Sequence, residues 1–279
     1  MKGDPSHEGP LFLYEKLGDF KQKHPLQNPD GKITQKAGQK MIFVIGNGAS
    51  RKNVNLDVLK QHGKIIGCNA LYRDFTPDHL FSNDSIILHE ILSSDYSIYN
   101  EVYLLKGEIQ HLSEDLYFSI KMGLTNITEN EKKDSTEFIV HGMNEQEPFL
   151  TWLPKNHKVK ETSWIETDEI LMFNTGFNAC RLAYELYPEE DIYMIGFDIF
   201  GKRNNLYDGT HGYHDPDKEH YEEKGWVIIF NQLPTLYPNI NIRRVIDYGP
   251  ELENIPSITY KELCHHSQIN QKTLITLTQ

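Results

Sequence analysis

The sequence is poor in cysteine and in long apolar runs, and each shortage excludes a class of protein. Its 279 residues include three cysteines, at the widely separated positions Cys68, Cys180 and Cys264. An odd number at such spacing fits neither a disulfide framework nor a zinc ribbon, so we expect reduced thiols in a cytoplasmic protein. No stretch approaches the run of about 18 apolar residues that spans a bilayer. Residues 1–10 are polar and do not resemble a secretory signal.

Positive charge is also scarce. The chain carries 28 basic against 40 acidic residues, for a formal net charge of −12. An acidic surface repels phosphate backbones, which disfavours broad nucleic-acid binding but is compatible with a local basic groove. With 38% hydrophobic and 24% charged residues, the chain has enough apolar side chains to bury a core, which excludes global disorder.

Short apolar segments alternate with helical patterns from residue 40 onward. Strand signals that indicate burial on both faces alternate with amphipathic stretches, and this alternation is typical of βαβ units. The sequence therefore predicts an α/β fold: a Rossmann-like, doubly wound, mostly parallel sheet of the GT-A-like kind. The predicted strands are 41–45, 64–69, 79–84, 102–105, 191–198 and 240–246, and the clearest helix is 177–187.

The same pattern suggests domain boundaries. Residues 1–39 are interrupted by proline and glycine and are predicted to be an extension. The α/β domain is predicted over 40–250, with a less regular insertion or lid at about 108–169 that contains a strand candidate at 137–140. A further helix is predicted after Asp215, which would be its N-cap with Pro216 in the first turn. Residues 251–279 are predicted to be a tail.

The predicted strand ends are unusually polar. In an open parallel sheet, ligands bind beyond the carboxyl ends of the strands. Two glycines directly after the first strand would allow a close backbone approach, and we expect free amides at the following helix start to bind an anion. The polar positions at these ends are Gly46, Asn47, Gly48, Ser50, Asn69, Asn83, Asp84 and Asp198.

Known phosphate-binding fingerprints are absent from the first turn. The third glycine of the dinucleotide motif is replaced by Arg51, and no Gly-Lys-Ser/Thr sequence follows. An ordinary NAD or ATP site is therefore disfavoured. A tight turn that binds no ligand is the alternative interpretation.

A loop at residues 204–214 is the second candidate centre. It contains Tyr207, His211, Tyr213 and His214, and His220 follows closely. A histidine suits general base catalysis, and tyrosine hydroxyls can bind a departing phosphate without metal. A metal site of the three histidines with Asp215 is the rival interpretation, but a loop lacks the regular ligand spacing of a helix. The third interpretation is that these histidines are exposed and have no role.

Metal binding is also disfavoured at Asp198. This residue lacks a second acid two positions away, so the Asp-X-Asp arrangement that clamps a metal diphosphate is missing. We therefore expect neither a metal nor a cofactor.

The order of these motifs resembles that of the bacterial sialyltransferases of glycosyltransferase family 42. The resemblance covers roughly residues 41–105 and 170–246. It rests on the Gly-Asn-Gly-Ala-Ser turn at 46–50, Cys68-Asn69, Asn174-Thr175-Gly176, Gly196-Phe197-Asp198 and the tyrosine- and histidine-rich loop.

The resemblance implies a metal-independent transferase that uses a nucleotide sugar, first of all a CMP-sugar and second a UDP-sugar. It places the nucleotide at Gly46, Asn47, Gly48, Ser50 and Asn69, with Thr175 and Gly176 near the donor. It assigns the general base to His214, with His211 as its neighbour and His220 as second choice, and phosphate support to Tyr207. The second tyrosine of the family is replaced by Phe200.

The acceptor implied is a glycan or another hydroxyl-bearing molecule, a hydroxylated nucleobase included, and a homo-oligomer is compatible with the sequence. Two other functions stay open. One is Mg²⁺-dependent pyrophosphoryl transfer to a pterin on a similar core, and the other is a non-catalytic nucleotide-binding module.

Overall fold

The computed structural model describes residues 40–111, 137–141, 149–163, 174–200, 204–215 and 223–275. The predicted N-terminal extension lies outside these ranges. His220 and the predicted helix start at Pro216 lie outside them as well.

Eleven strands and eight α-helices fall within the described residues. The strands are β1 Met41–Ile45, β2 Gly63–Cys68, β3 His79–Phe81, β4 Val102–Leu104, β5 Ile109–His111, β6 Glu137–His141, β7 Phe149–Trp152, β8 Val159–Glu161, β9 Asp191–Ile195, β10 Asn241–Val245 and β11 Ser257–Ile258. The helices are α1 Leu56–His62, α2 Ser85–Ser93, α3 Tyr96–Tyr99, α4 Thr175–Leu186, α5 Glu223–Asn231, α6 Leu233–Leu236, α7 Tyr260–Ser267 and α8 Gln271–Leu274. Short 3-10 turns occur at Ala49–Arg51 and Asn69–Arg73.

Eight strands form one parallel sheet in the order β11-β10-β9-β1-β2-β3-β4-β8. The chain runs outward from β1 to β8 and then returns to β9, which lies on the other side of β1. The predicted doubly wound, mostly parallel sheet is confirmed. Its topological switch point lies between β1 and β9, where open α/β sheets place their ligand crevice.

Both faces of the sheet are covered, which explains the uninterrupted apolar sequence of β1. Phe43 lies on one face in a core that includes Leu59 of α1. Val44 lies on the other face with Phe177 of α4. All four side chains are fully buried, and burying each contributes roughly 1.5–3 kcal/mol.

The described part of the predicted insertion is more regular than the sequence suggests. β5, β6 and β7 form a separate antiparallel sheet, and the predicted strand at 137–140 is confirmed as β6. Ile139 and Leu153 are buried in the same core as Ile87 of α2. β8 instead joins the edge of the main sheet.

The prediction of a tail after residue 250 is wrong for residues 251–275. This segment supplies β11, the edge strand beside β10, and α7, which begins with a capping box between Thr259 and Glu262. Leu263 and Leu274 are fully buried, and the carbonyl of Leu274 accepts a hydrogen bond from the amide of Asn55. The sequence does not reveal that this segment belongs to the core, because β11 has only two residues and α7 has a polar face.

We expect Leu263→Ala to lower the free energy of unfolding by about 2–5 kcal/mol, because it leaves a cavity in the core. Leu186→Ala on α4 is the matched control, since Leu186 is 36% exposed against 0% for Leu263. Chemical denaturation measures both variants. Equal, small losses would contradict the assignment of α7 to the core.

Candidate functional site

The predicted first turn and the predicted histidine loop lie against each other. Asn205 forms a β-bridge with Gly48, and the amide of Leu206 donates to the carbonyl of Asn47 over 2.8 Å. The Nδ2 of Asn47 donates to the hydroxyl of Tyr213 over 3.1 Å. The loop therefore lies on the carboxyl edge of the sheet, beside the end of β1.

Packing accounts for the glycines of the first turn. A Cβ on Gly46 would lie 2.5 Å from the carbonyl oxygen of Gly196, and one on Gly48 would lie 2.5 Å from the Cγ of Asp198. Real Cβ atoms essentially never come so close. The two glycines thus allow the end of β1 to pack directly against the end of β9.

The expectation of free amides after β1 is wrong. The Gly48 amide donates to the Gly196 carbonyl over 2.8 Å, and the Ser50 amide donates to Oδ2 of Asp198 over 2.9 Å. The segment after Gly48 forms only a 3-10 turn. Helix α1 begins later, and Asn55 already caps its first amides. Asp198 thus fills, from within the chain, the place that the sequence predicts for an anion.

Asn47 retains an unused acceptor. Its Nδ2 donates to the Cys68 carbonyl and to the Tyr213 hydroxyl, both over 3.1 Å. Its Oδ1 is buried and accepts no hydrogen bond, and the whole residue is only 9% exposed. Because a carbonyl oxygen cannot donate, these partners fix which end of the amide carries the oxygen. A buried acceptor without a partner costs about 1–3 kcal/mol.

The sequence places Tyr213 in the candidate loop but assigns it no role of its own. Its hydroxyl oxygen accepts from Asn47 and, over 3.4 Å, from the amide of Ala70. Burial raises its pKa to about 12, so the hydroxyl keeps its proton at neutral pH. That proton remains available for donation beside the unused oxygen of Asn47.

The end of β2 provides a second polar group at this edge. Asn69 adopts a left-handed conformation, with φ of 47°, which asparagine tolerates better than most residues. Its Oδ1 accepts from the hydroxyl of buried Ser82 over 2.9 Å.

The other predicted substrate-binding residues have structural contacts. The Thr175 hydroxyl donates to Oδ1 of Asn83, which joins the start of α4 to the end of β3. Asp84 is the N-cap of α2. A Cβ on Gly176 would lie 2.7 Å from the ring of Phe197, so this glycine permits the close packing of α4.

Tyr207 is an anchor inside the protein. Its side chain is buried, its hydroxyl donates to Oδ1 of Asp74, and it accepts from Nη2 of Arg51 over 3.1 Å. Burial raises the pKa of this hydroxyl further above its usual value. The Tyr207 hydroxyl thus has two partners beneath the loop, and its support of a departing phosphate stays a prediction.

An ion-pair network that sequence reasoning missed holds the histidine loop. Arg73 donates from Nε and Nη2 to the two carboxylate oxygens of Glu90 on α2, over 2.7 and 2.6 Å. The same guanidinium donates to the Thr210 hydroxyl and to the His211 carbonyl. The hydroxyl of Tyr72 also donates to Glu90. Arg73 and Glu90 are 17 positions apart, with β3 between them, so no sequence pattern indicates the pair.

The two histidines of the loop are exposed. His211 Nδ1 lies 3.0 Å from Oε2 of Glu90, with its side chain 70% exposed. The carbonyl of His214 accepts from the Gly209 amide over 2.8 Å, which closes the loop.

The described residues show neither a metal-binding cluster nor a membrane-spanning helix. In the ranges between 40 and 275 that the structure describes, no group of three or more His, Cys, Asp and Glu side chains is arranged to hold a metal ion. No helix in those ranges is both long and apolar enough to cross a membrane. The three cysteines are unpaired and buried.

Among known proteins, similarity to this chain was found only in solved structures. No protein family and no curated protein matches it. A monofunctional α-2,3-sialyltransferase, Cst-I from Campylobacter jejuni, is similar at 15% identity, covering 82% of this chain and 84% of that one, with a TM-score of 0.44.

Two further similar structures are sialyltransferases. CstII from Campylobacter jejuni, solved with cytidine-5'-monophosphate, shows 14% identity over 80% of this chain and 86% of that one, with a TM-score of 0.38. A mammalian sialyltransferase shows 12% identity over 86% and 81%, with a TM-score of 0.31. Bacterial sialyltransferases, which the motif order resembles, are thus among the similar structures. These likenesses are too distant to assign an activity.

The ion pair with Arg73 predicts a pH dependence of stability. Hydrogen bonds from Arg73 lower the pKa of Glu90 to about 2, below the value of about 4.3 for an unfolded glutamate. A depressed folded-state pKa stabilises the fold above the unfolded value, and this contribution is lost as the pH falls toward 2. We expect the stability advantage of the wild type over Glu90→Gln to shrink from pH 5 to pH 2.

Denaturant titrations at stepped pH measure that difference. Glu251→Gln, which changes an exposed carboxylate, is the control and should show a smaller pH-dependent difference. A constant gap between wild type and Glu90→Gln across this range would contradict the ion pair.

Proposed function

We propose that the chain is a glycosyltransferase, which moves a sugar from a nucleotide-sugar donor to an acceptor hydroxyl at the carboxyl edge of β1, β2 and β3. The observation that carries the proposal is the buried, unused Oδ1 of Asn47 beside the Tyr213 hydroxyl, directly under a loop with two exposed histidines. Nucleotide binding and proton transfer are thus both assigned to this edge of the sheet.

The Asn47 and Tyr213 pair suits a nucleoside. The free oxygen of Asn47 needs a donor, such as a ribose hydroxyl or an exocyclic amine of a base. The Tyr213 hydroxyl can offer its proton to an acceptor next to it. A ligand with a neighbouring donor and acceptor satisfies both groups and removes the cost of the orphaned oxygen.

The loop supplies the chemistry. An imidazole takes the proton from the acceptor hydroxyl as that oxygen attacks the anomeric carbon of the sugar. His214 is the first choice from the sequence, and His211 lies three residues before it. Because the amides after β1 are occupied, the departing phosphate draws on side-chain donors instead.

The order of the motifs makes CMP-sugars the first donors to test and UDP-sugars the second. Acceptors to test are glycans and other hydroxyl-bearing molecules. Pterin pyrophosphoryl transfer requires Mg²⁺ and ATP, and a non-catalytic module binds nucleotide without turnover, so one experiment separates the three functions.

We expect mass spectrometry to detect sugar transfer from a CMP- or UDP-sugar in the presence of EDTA. Removal of the base should cost at least about 2–3 kcal/mol of transition-state stabilisation, or roughly a hundredfold in rate. His211→Ala, His214→Ala and His220→Ala are compared under identical conditions. Transfer that stops in EDTA, or full activity in all three variants, would contradict the proposal.

We expect Asn47→Ala to weaken binding of the cytidine or uridine nucleotide about tenfold, since one hydrogen bond is worth roughly 0.5–1.5 kcal/mol. Isothermal titration calorimetry measures this in the absence of any acceptor. Asn100→Ala is the matched control, because Asn100 lies just before β4 at the opposite edge of the sheet. Equal affinities in the two variants would exclude Asn47 from the nucleotide site.

A further inference from the structure

Glu90 and His211 have the geometry of an oriented base. The Oε2 of Glu90 lies 3.0 Å from Nδ1 of His211, and an ionised carboxylate accepts hydrogen bonds but cannot donate them. Nδ1 therefore carries the proton in this contact. In the neutral imidazole, Nε2 then has a free lone pair and can accept a proton.

Glu90 is itself fixed in place. Arg73 donates to both of its oxygens and the Tyr72 hydroxyl donates to Oε1. The carboxylate therefore presents Oε2 to His211 from one defined direction. Enzymes that use histidine as a base commonly orient it through such a third group.

The backbone of the loop is held by the same guanidinium. Arg73 donates over 2.7 Å to the Thr210 hydroxyl and over 2.8 Å to the carbonyl of His211. The ring of Tyr213 lies 5.8 Å from the Arg73 guanidinium carbon, and its hydroxyl reaches Asn47. A continuous set of contacts thus joins the unused oxygen of Asn47 to the imidazole of His211.

We infer that His211 is the general base of this site and that Glu90 is its positioning residue. The inference rests on the proposed transfer reaction, which it makes more specific. The acceptor hydroxyl gives its proton to Nε2 of His211 while its oxygen bonds to the anomeric carbon. The bond from that carbon to the phosphate oxygen breaks, and its electron pair leaves with the nucleotide. His211 later returns the proton to solvent.

The orientation is measured without any substrate by long-range ¹H–¹⁵N NMR of the histidine side chains, with His211→Asn to assign the signals. We expect the wild type to show the Nδ1–H tautomer at His211. In Glu90→Gln, an amide N–H replaces one carboxylate oxygen, and the Nδ1–H population should fall. Glu101→Gln is the matched control, because it alters a carboxylate that contacts His79 instead of His211 and should preserve the tautomer at His211.

Kinetics on the same proteins test the role. We expect His211→Ala to lower kcat about a hundredfold or more, and Glu90→Gln about tenfold or more, with the donor KM unchanged within about twofold. A structural role for Glu90 would instead raise KM, or would lower kcat equally in Glu90→Gln and Glu101→Gln.

Three results distinguish the inference from the proposed function. An Nε2–H tautomer in the wild type would overturn the inference. So would full activity of His211→Ala beside an inactive His214→Ala. A wild type with the Nδ1–H tautomer that transfers no sugar would contradict the proposed function alone and support the orientation of His211 by Glu90.

Discussion

The close packing between the ends of β1 and β9 is the constraint on which the rest of the site depends. Gly46 and Gly48 have no room for a Cβ against Gly196 and Asp198, so the switch point of the sheet is closed by the chain itself. The amide of Gly48 donates to the carbonyl of Gly196, and the amide of Ser50 donates to the carboxylate of Asp198. In the proposed site, recognition of the nucleotide is therefore assigned to side chains, above all to Asn47, which the same turn holds between β2 and the loop.

The histidine loop depends on two separate anchors. Tyr207 is buried beneath it and bonded to Asp74 and Arg51, while the pair of Arg73 with Glu90 holds its outer side. A loop fixed at both places can present an imidazole at a constant position, which catalysis by a general base requires.

The sequence was sufficient to predict the sheet, because buried parallel strands such as β1 are apolar throughout and the turns after them are polar. The resemblance also placed residues 46–50 and the loop in one site, and the two do lie against each other. The sequence could not predict which amides are free, because Asp198 reaches Ser50 across 148 positions of sequence. The pair of Arg73 with Glu90 and the role of Tyr213 were missed for the same reason, and β11 was too short to carry a strand pattern.

The central claim is that a nucleotide binds at Asn47 with its sugar toward the loop. A crystal structure of the protein grown with CMP or UDP tests it most directly, through the distance from the nucleotide to Oδ1 of Asn47. The account predicts a ribose or base donor at about 2.7–3.2 Å from that oxygen, with the phosphate toward the exposed histidines. A nucleotide bound at another edge of the sheet, with Oδ1 of Asn47 still unpartnered, would contradict it.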